Sequence, residues 1–267
     1  GGGISLSSAQ QAATRTILRS KVVVLTGGPG TGKTTLVRWI ANSFTGTGAN
    51  VVLCAPTGRA AKRLEESSGL PAYTIHRLLE FNPRTGSFNF NRRHPISADL
   101  IVVDEVSMVD IRILSSLLDA TADGSRLLFV GDADQLPSVG PGSVLSDLSK
   151  VDKIPTVKLN EVFRQSAKSQ IVQAAHSINQ GNFTPCQPRS DVSDFYFNTR
   201  QEPEQNAQTL EKLVTLRIPQ RFNLDPLRDI QVLSPMNRGP QGTVELNSRL
   251  RARLNPSTGV TGNSHVR

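Results

Sequence analysis

The chain reads as an α/β protein: a parallel sheet flanked by helices, followed by a second, incomplete domain of the same kind. Short apolar, β-branched runs recur along it, stretches with helical spacing separate most of them, and a glycine-rich turn joins the first run to a helix. The runs are Val22–Leu25, Val51–Leu53, Leu100–Val103, Leu127–Val130, Thr156–Leu159, Phe195–Phe197 and Ile230–Leu233. Helical spacing links Ala9, Ala12, Ala13 and Ile17, then Ile111, Leu114, Leu117 and Leu118, then Ile171, Ala174, Ala175 and Ile178 before Gly181. Such alternation implies right-handed crossovers between parallel strands. A first domain is expected over residues 1–160 and a second over 161–267. The second offers only two strand-like runs and a Gly/Ser/Asn-rich tail after Pro256, too little for a covered parallel layer, so a truncated chain is expected.

A length of 267 residues suits about two domains, and 37% hydrophobic with 19% charged residues is an ordinary globular balance. With no run of 18 apolar residues, no membrane span is expected. The start, Gly1 to Ser5, lacks the charged and apolar regions of a signal peptide. Cys54 and Cys186 form no C-x-x-C pair, which argues against a disulfide framework or zinc site and for a reducing, cytoplasmic setting. A net charge of +8 and a pI near 10.0 point to a polyanionic partner.

The turn after the first run, Gly27-Gly28-Pro29-Gly30-Thr31-Gly32-Lys33-Thr34, fits G-x-x-x-x-G-K-[ST] between a strand and a helix start. Glycines let successive N–H groups face phosphate oxygens, and the helix N-terminus adds partial positive charge. Gly28, Pro29, Gly30, Thr31, Gly32, Lys33, Thr34 and Thr35 are the expected nucleotide contacts. Lys33 would reach the β/γ-phosphates and Thr34 would hold Mg²⁺. A nucleoside triphosphate is the expected ligand.

Asp104-Glu105 closes the third run. A buried strand ending in Asp sets a carboxylate beside the phosphate loop, where it can hold Mg²⁺, and the adjacent Glu105 suits a general base on water. The bland alternative is a pair of acids capping the next helix, near Val109 to Ala120. Position 107 is Ser, so the D-x-x-G of a GTPase is not met, and Ser149-Lys150-Val151-Asp152 does not end an apolar strand. Gly131-Asp132-Ala133-Asp134-Gln135-Leu136-Pro137 follows the fourth run. There Gln135 can touch the γ-phosphate or its water, while Asp-Gln before Pro is equally good turn chemistry.

The motif order resembles a superfamily 1B DNA helicase, most of all the RecD family with its exonuclease V alpha-type ATPases. It is carried by Gly27–Thr34, Ala55-Pro56-Thr57-Gly58-Arg59-Ala60-Ala61, Thr74-Ile75-His76-Arg77-Leu78-Leu79, Asp104-Glu105-Val106-Ser107-Met108, Gly131–Pro137 and Val162-Phe163-Arg164-Gln165. Ser234 to Gly242 looks like the family's stretch in the second motor domain. The resemblance implies a RecA-like P-loop NTPase using ATP and Mg²⁺, with a second, incomplete RecA-like domain. It implies adenine reading by Gln10, single-strand contacts by Thr57, Arg59, Thr74, His76 and Arg77, and an arginine, Arg164, reaching the γ-phosphate. By residue chemistry alone, Gln10 is equally a surface residue after an N-cap at Ser7 or Ser8, and Arg164 a salt-bridge partner of Glu161.

The insert from Phe81 to Ile96 holds Arg84, Arg92, Arg93 and His94 without an acid, and Phe88 and Phe90 alternate with polar residues after Thr85-Gly86. It reads as a small hairpin. In the family an insertion here forms a pin that splits the duplex, so the implied partners are single-stranded DNA and single/double-strand junctions. Recombination-complex subunits, or the remainder of the motor, are further possible partners. Aromatics make up only 5% of the chain, so phosphate contacts should carry most of the affinity. The family's Thr-Val-His-Arg-Ala-Gln-Gly-like and Thr-Arg-Ala-like motifs are not in this sequence. ATP binding and weak DNA binding, with little unwinding, are therefore expected. The 5′ to 3′ polarity is implied by the resemblance alone.

Overall fold

The computed structural model describes residues 6–159, 169–182, 193–198 and 202–256. Two compact units divide the chain: Gly1–Cys186 with Val192–Phe195, and Gln187–Asp191 with Tyr196–Arg267.

The first unit opens with α1 (Ser8–Arg19), whose N-terminus is fixed by a capping box between Ser7 and Gln10. There follow β1 (Val22–Gly27), α2 (Lys33–Thr45), β2 (Val51–Ala55), α3 (Gly58–Ser68), β3 (Ala72–Thr74) and the short α4 (Ile75–Leu78). A two-stranded hairpin, β4 (Phe81–Asn82) and β5 (Ser87–Phe88), precedes β6 (Leu100–Val103). The unit continues through a 3₁₀ turn (Val106–Met108), α5 (Ile111–Asp119), β7 (Arg126–Gly131), α6 (Val144–Ser149), β8 (Thr156–Leu159) and α7 (Gln170–Asn179).

The main sheet has the order β3-β2-β6-β7-β1-β8, and every pairing in it is parallel. Its four central strands are apolar on both faces, because helices cover both. Alternation splits them between two cores. Val23, Leu25, Leu53, Leu100, Val102, Leu128 and Val130 pack with Ile17, Leu36, Ile40 and Leu64 from α1, α2 and α3. Val24, Cys54, Ile101, Val103, Leu127 and Phe129 pack on the other face with Leu114, Leu117, Val144 and Leu145 from α5 and α6. Five of the expected strands and all three expected helices lie where the sequence reading put them.

In the second unit the described elements are helices: α8 (Pro203–Lys212), a π turn (Leu213–Arg217), α9 (Ile218–Phe222) and α10 (Thr243–Leu254). The expected strands Phe195–Phe197 and Ile230–Leu233 are a correction: neither enters a ladder. Such runs become strands only with neighbours to bond, and Leu233 is 82% exposed. Ion pairs join α8 to α10: Arg249 to Glu204 at 2.7 Å, with Glu245 on α10 itself at 2.9 Å, and Arg253 pairs with Glu211 at 2.7 Å. Among the described residues no helix is long and apolar enough to cross a membrane.

Candidate active site

The carboxyl ends of the parallel strands gather the chemistry-bearing residues, the usual position for ligands in an open α/β sheet. β1 runs out at Gly27, where a Cβ would approach the Leu159 carbonyl oxygen to 2.6 Å and Thr31 Oγ1 to 2.8 Å, so glycine is required. Gly30 and Gly32 take left-handed backbone, with φ of 73° and 82°. The buried Thr31 hydroxyl donates to the Gly28 carbonyl at 2.8 Å and holds the loop closed. Lys33 Nζ donates to the carbonyls of Gly27 at 2.5 Å and Gly28 at 2.9 Å, which stretches the ammonium across the loop. The N-cap of α2 is Gly32, with no side-chain cap bond. Its first-turn N–H groups thus remain open to an anion. Thr34 and Thr35 are exposed on that turn.

Gln10 comes to the same loop from α1. Its Oε1 accepts from the Ser7 N–H at 3.0 Å, and its Nε2 donates to the Gly32 carbonyl at 3.3 Å. It is 3% exposed, buried rather than on the surface.

β6 lies one strand from β1 in the sheet, with β7 between, and ends at Asp104. Asp104 N–H donates to the Cys54 carbonyl at 2.9 Å, and Asp104 Oδ1 accepts from the Glu105 N–H at 2.9 Å. Glu105 takes the left-handed conformation (φ 54°, ψ 42°), costly for a residue with a Cβ. Burial raises the Asp104 carboxyl to about 6; the Glu105 N–H lowers it, the Glu105 charge raises it, and Lys33 lowers it. Burial, with Asp104 nearby, pushes the Cys54 thiol up to about 12. The next helix does not use the acid pair as its cap. Asp110 caps α5, accepting from the Ile113 N–H at 2.9 Å.

Gln135 sits on the turn after β7, whose buried Asp132 accepts from the Asp134 N–H at 3.0 Å. The Ala133 N–H donates to Thr26 Oγ1 at 3.2 Å, tying this turn to the end of β1. The sequence reading missed Thr26, and gave Ser107, a member of the Asp104–Met108 motif that also excludes a GTPase, no role of its own. Yet Ser107 Oγ donates to Gln135 Oε1 at 3.3 Å. A hydroxyl three residues beyond Asp104 was the signal the sequence offered for Ser107.

The outer strands carry the other residue set. Ala55 of β2 is in register with Thr74 of β3, which brings the two following helix starts together. Both threonines are N-caps: Thr57 accepts from the Ala60 N–H and Thr74 from the Arg77 N–H, each at 3.2 Å. Their hydroxyl hydrogens stay available to a phosphate. Arg59, His76 and Arg77 are exposed. His76 packs edge-on against Phe81 at 5.6 Å and against Phe88 at 5.7 Å, and the Arg77 guanidinium lies over Tyr73 at 5.4 Å. The expected hairpin is present, with Phe81 opposite Phe88 and Gly86 left-handed. Lys62 on α3 has an exposed pairing with Glu66 at 3.9 Å, a weak bond. Arg164 lies outside the described residues.

A protein family described as an AAA domain matches residues 5–192. The chain belongs to that family. Within this AAA domain setting, the ATP-dependent RecD2 DNA helicase of Deinococcus radiodurans is 41% identical over 255 residues, covering 95% of this chain and 33% of that protein. The RecBCD enzyme subunit RecD of Mycobacterium tuberculosis strain H37Rv is 32% identical over 284 residues, covering 94% and 49%. The crystal structure of the Pif1 helicase from Candida albicans aligns with a TM-score of 0.55 at 23% identity, over 79% of this chain and 55% of that one. The chain thus has RecD-type homologues and a P-loop NTPase fold. It spans about a third to a half of the length of these curated relatives.

Proposed function

We propose that this chain carries the ATP-hydrolysing part of an ATP-dependent DNA helicase of RecD type, which moves 5′ to 3′ on single-stranded DNA. Residues 1–160 form its first RecA-like motor domain, with the 81–96 insert, and 161–267 belong to the second. The observation that carries this reading is the shared sheet edge. Lys33 and Thr34 after β1, Asp104 and Glu105 after β6 and Gln135 after β7 stand on three adjacent strands, beside Thr57 and Thr74 on the next two.

The amides of Gly28 to Thr35 and the Lys33 ammonium bind the triphosphate, and Gln10 reads the adenine edge. Lys33 has only to exchange two loop carbonyls for β/γ-phosphate oxygens. Thr34 and Asp104 offer hard oxygen donors suited to Mg²⁺. Among the described residues no group of three or more His, Cys, Asp or Glu could hold a metal. Bound by Thr34 and Asp104, Mg²⁺ neutralises charge on the β/γ-oxygens. Glu105 takes a proton from the attacking water, Gln135 senses the γ-phosphate, and Arg164 stabilises charge as the phosphoryl group leaves. Thr57, Arg59, Thr74, His76 and Arg77 hold the single strand through its phosphates. The proposed setting is cytoplasmic, with the rest of the motor or recombination-complex subunits as partners.

The AAA domain match also suits a second reading, a remodelling ATPase of AAA or PhoH-like type that does not unwind DNA. ATP hydrolysis measured with and without single-stranded DNA separates the possibilities. The helicase reading predicts DNA-stimulated hydrolysis, lost in Lys33→Ala and reduced about 10²- to 10⁴-fold in Glu105→Gln with nucleotide binding kept. Hydrolysis indifferent to DNA favours the remodelling enzyme. Nucleotide and DNA binding with no hydrolysis at all leaves a silent binding module.

A further inference from the structure

The segment after Asp104-Glu105 and the segment after β7 are bound to each other at three places. Gly131 allows the first: a Cβ there would come within 3.3 Å of the backbone nitrogens of Val106 and Ser107. Ser107 Oγ donates to Gln135 Oε1 at 3.3 Å. Beyond them, the Ile111 N–H donates to the Pro141 carbonyl at 2.9 Å, and Gly140 lies so close to Asp110 that a Cβ would collide with its carboxylate. The carboxylates and the amide are therefore mounted on one body.

Within that body the Ser107 contact has a specific consequence. A glutamine amide has one accepting and one donating end. A hydroxyl donating to Oε1 occupies the accepting end and turns Nε2, with its two hydrogens, the other way. An exposed glutamine is otherwise free to rotate about its terminal torsion. We infer that Ser107 is a positioning residue: its hydroxyl holds the Gln135 side chain through Oε1 and leaves Nε2 to donate to the γ-phosphate. Gln135 touches the nucleotide and Ser107 acts through it. The inference rests on the nucleotide site proposed above and adds the device that keeps its sensor aimed.

The test is calorimetric titration of the chain with Mg²⁺ and ADP, alone or with aluminium fluoride to mimic the γ-phosphoryl group in flight. It compares wild type, Ser107→Ala, Ser107→Thr, Gln135→Ala and the Ser107→Ala/Gln135→Ala double variant. Wild type should bind the fluoride complex more tightly than ADP. Ser107→Ala should reduce that preference about three- to tenfold, the worth of one hydrogen bond, with affinity for ADP itself unchanged. Ser107→Thr, which keeps the hydroxyl, should restore it. In the Gln135→Ala background the serine change should have no further effect. The inference is overturned if Ser107→Ala keeps the wild-type preference, if Ser107→Thr does not restore it, if the double variant falls below Gln135→Ala, or if wild type shows no preference. Wild type that binds no ADP refutes instead the nucleotide site beneath it.

Discussion

Asp104 is held in a position that costs stability. An ordinary aspartyl group has a pKa of 3.8, and burial lifts this one to about 6. Below 3.8 it is protonated in both folded and unfolded chains and exerts no effect. Between 3.8 and 6 the folded chain binds the proton more tightly, so its contribution to stability falls as pH rises. Above 6 the full penalty of a buried charge is present, about 3 kcal/mol at 1.36 kcal/mol per unit. Asp104→Asn keeps the shape and the acceptor for the Glu105 N–H but discards the charge. Urea denaturation without nucleotide or Mg²⁺ should find the variant more stable than wild type at pH 7, by up to about 3 kcal/mol, the gap closing toward pH 4. A gap that does not change with pH would contradict this account. Stability surrendered at such a residue is common where a site must hold charge.

The helices and strands differ in how far the sequence disclosed them. β1, β2, β6 and β7 were legible because each is an apolar, β-branched run bounded by polar or glycine residues and covered on both sides, and the edge strand β8 was legible from its alternating Val157 and Leu159. β3 was not: three residues, Ala72-Tyr73-Thr74, at the sheet edge leave too little pattern. Phe195–Phe197 and Ile230–Leu233 carry the pattern without a pairing neighbour, and a run alone does not specify a ladder. The phosphate loop and the Asp-Glu pair were legible as local strings. The Ser107–Gln135 bond was not, since it joins residues 28 apart that only the β6–β7 pairing brings together. That pairing is sensitive at Gly131, where a Cβ would meet Leu145 Cδ2 at 2.8 Å as well as the 3₁₀ turn. Gly131→Ala should therefore destabilise by about 1–3 kcal/mol through overpacking. Gly58→Ala opens α3, where a Cβ meets nothing within 4 Å, and should stabilise by about 0.5–1 kcal/mol. Thermal melts of the two variants that shift in the same direction would contradict these packing arguments.

At the scale of the molecule, the first unit supplies a six-stranded sheet whose carboxyl-end edge holds the two proposed residue sets side by side. The residues proposed for the triphosphate follow β1, β6 and β7, and those proposed for the DNA phosphates follow β2 or close β3. β2 bonds directly to β6, with Cys54 opposite Val103 and the Asp104 N–H on the Cys54 carbonyl, so backbone hydrogen bonds join the two sets. A net charge of +8 favours polyanions without distinguishing among them, so on this proposal selectivity comes from the residues at this edge. The most direct measurement of the central claim is a calorimetric titration of the folded chain with ATP and Mg²⁺, repeated for Lys33→Ala. Saturable one-to-one binding in wild type, weakened at least about tenfold in the variant, is the predicted result. A folded wild type that gives no heat and no thermal shift with ATP and Mg²⁺, or a Lys33→Ala variant that binds equally well, would contradict it.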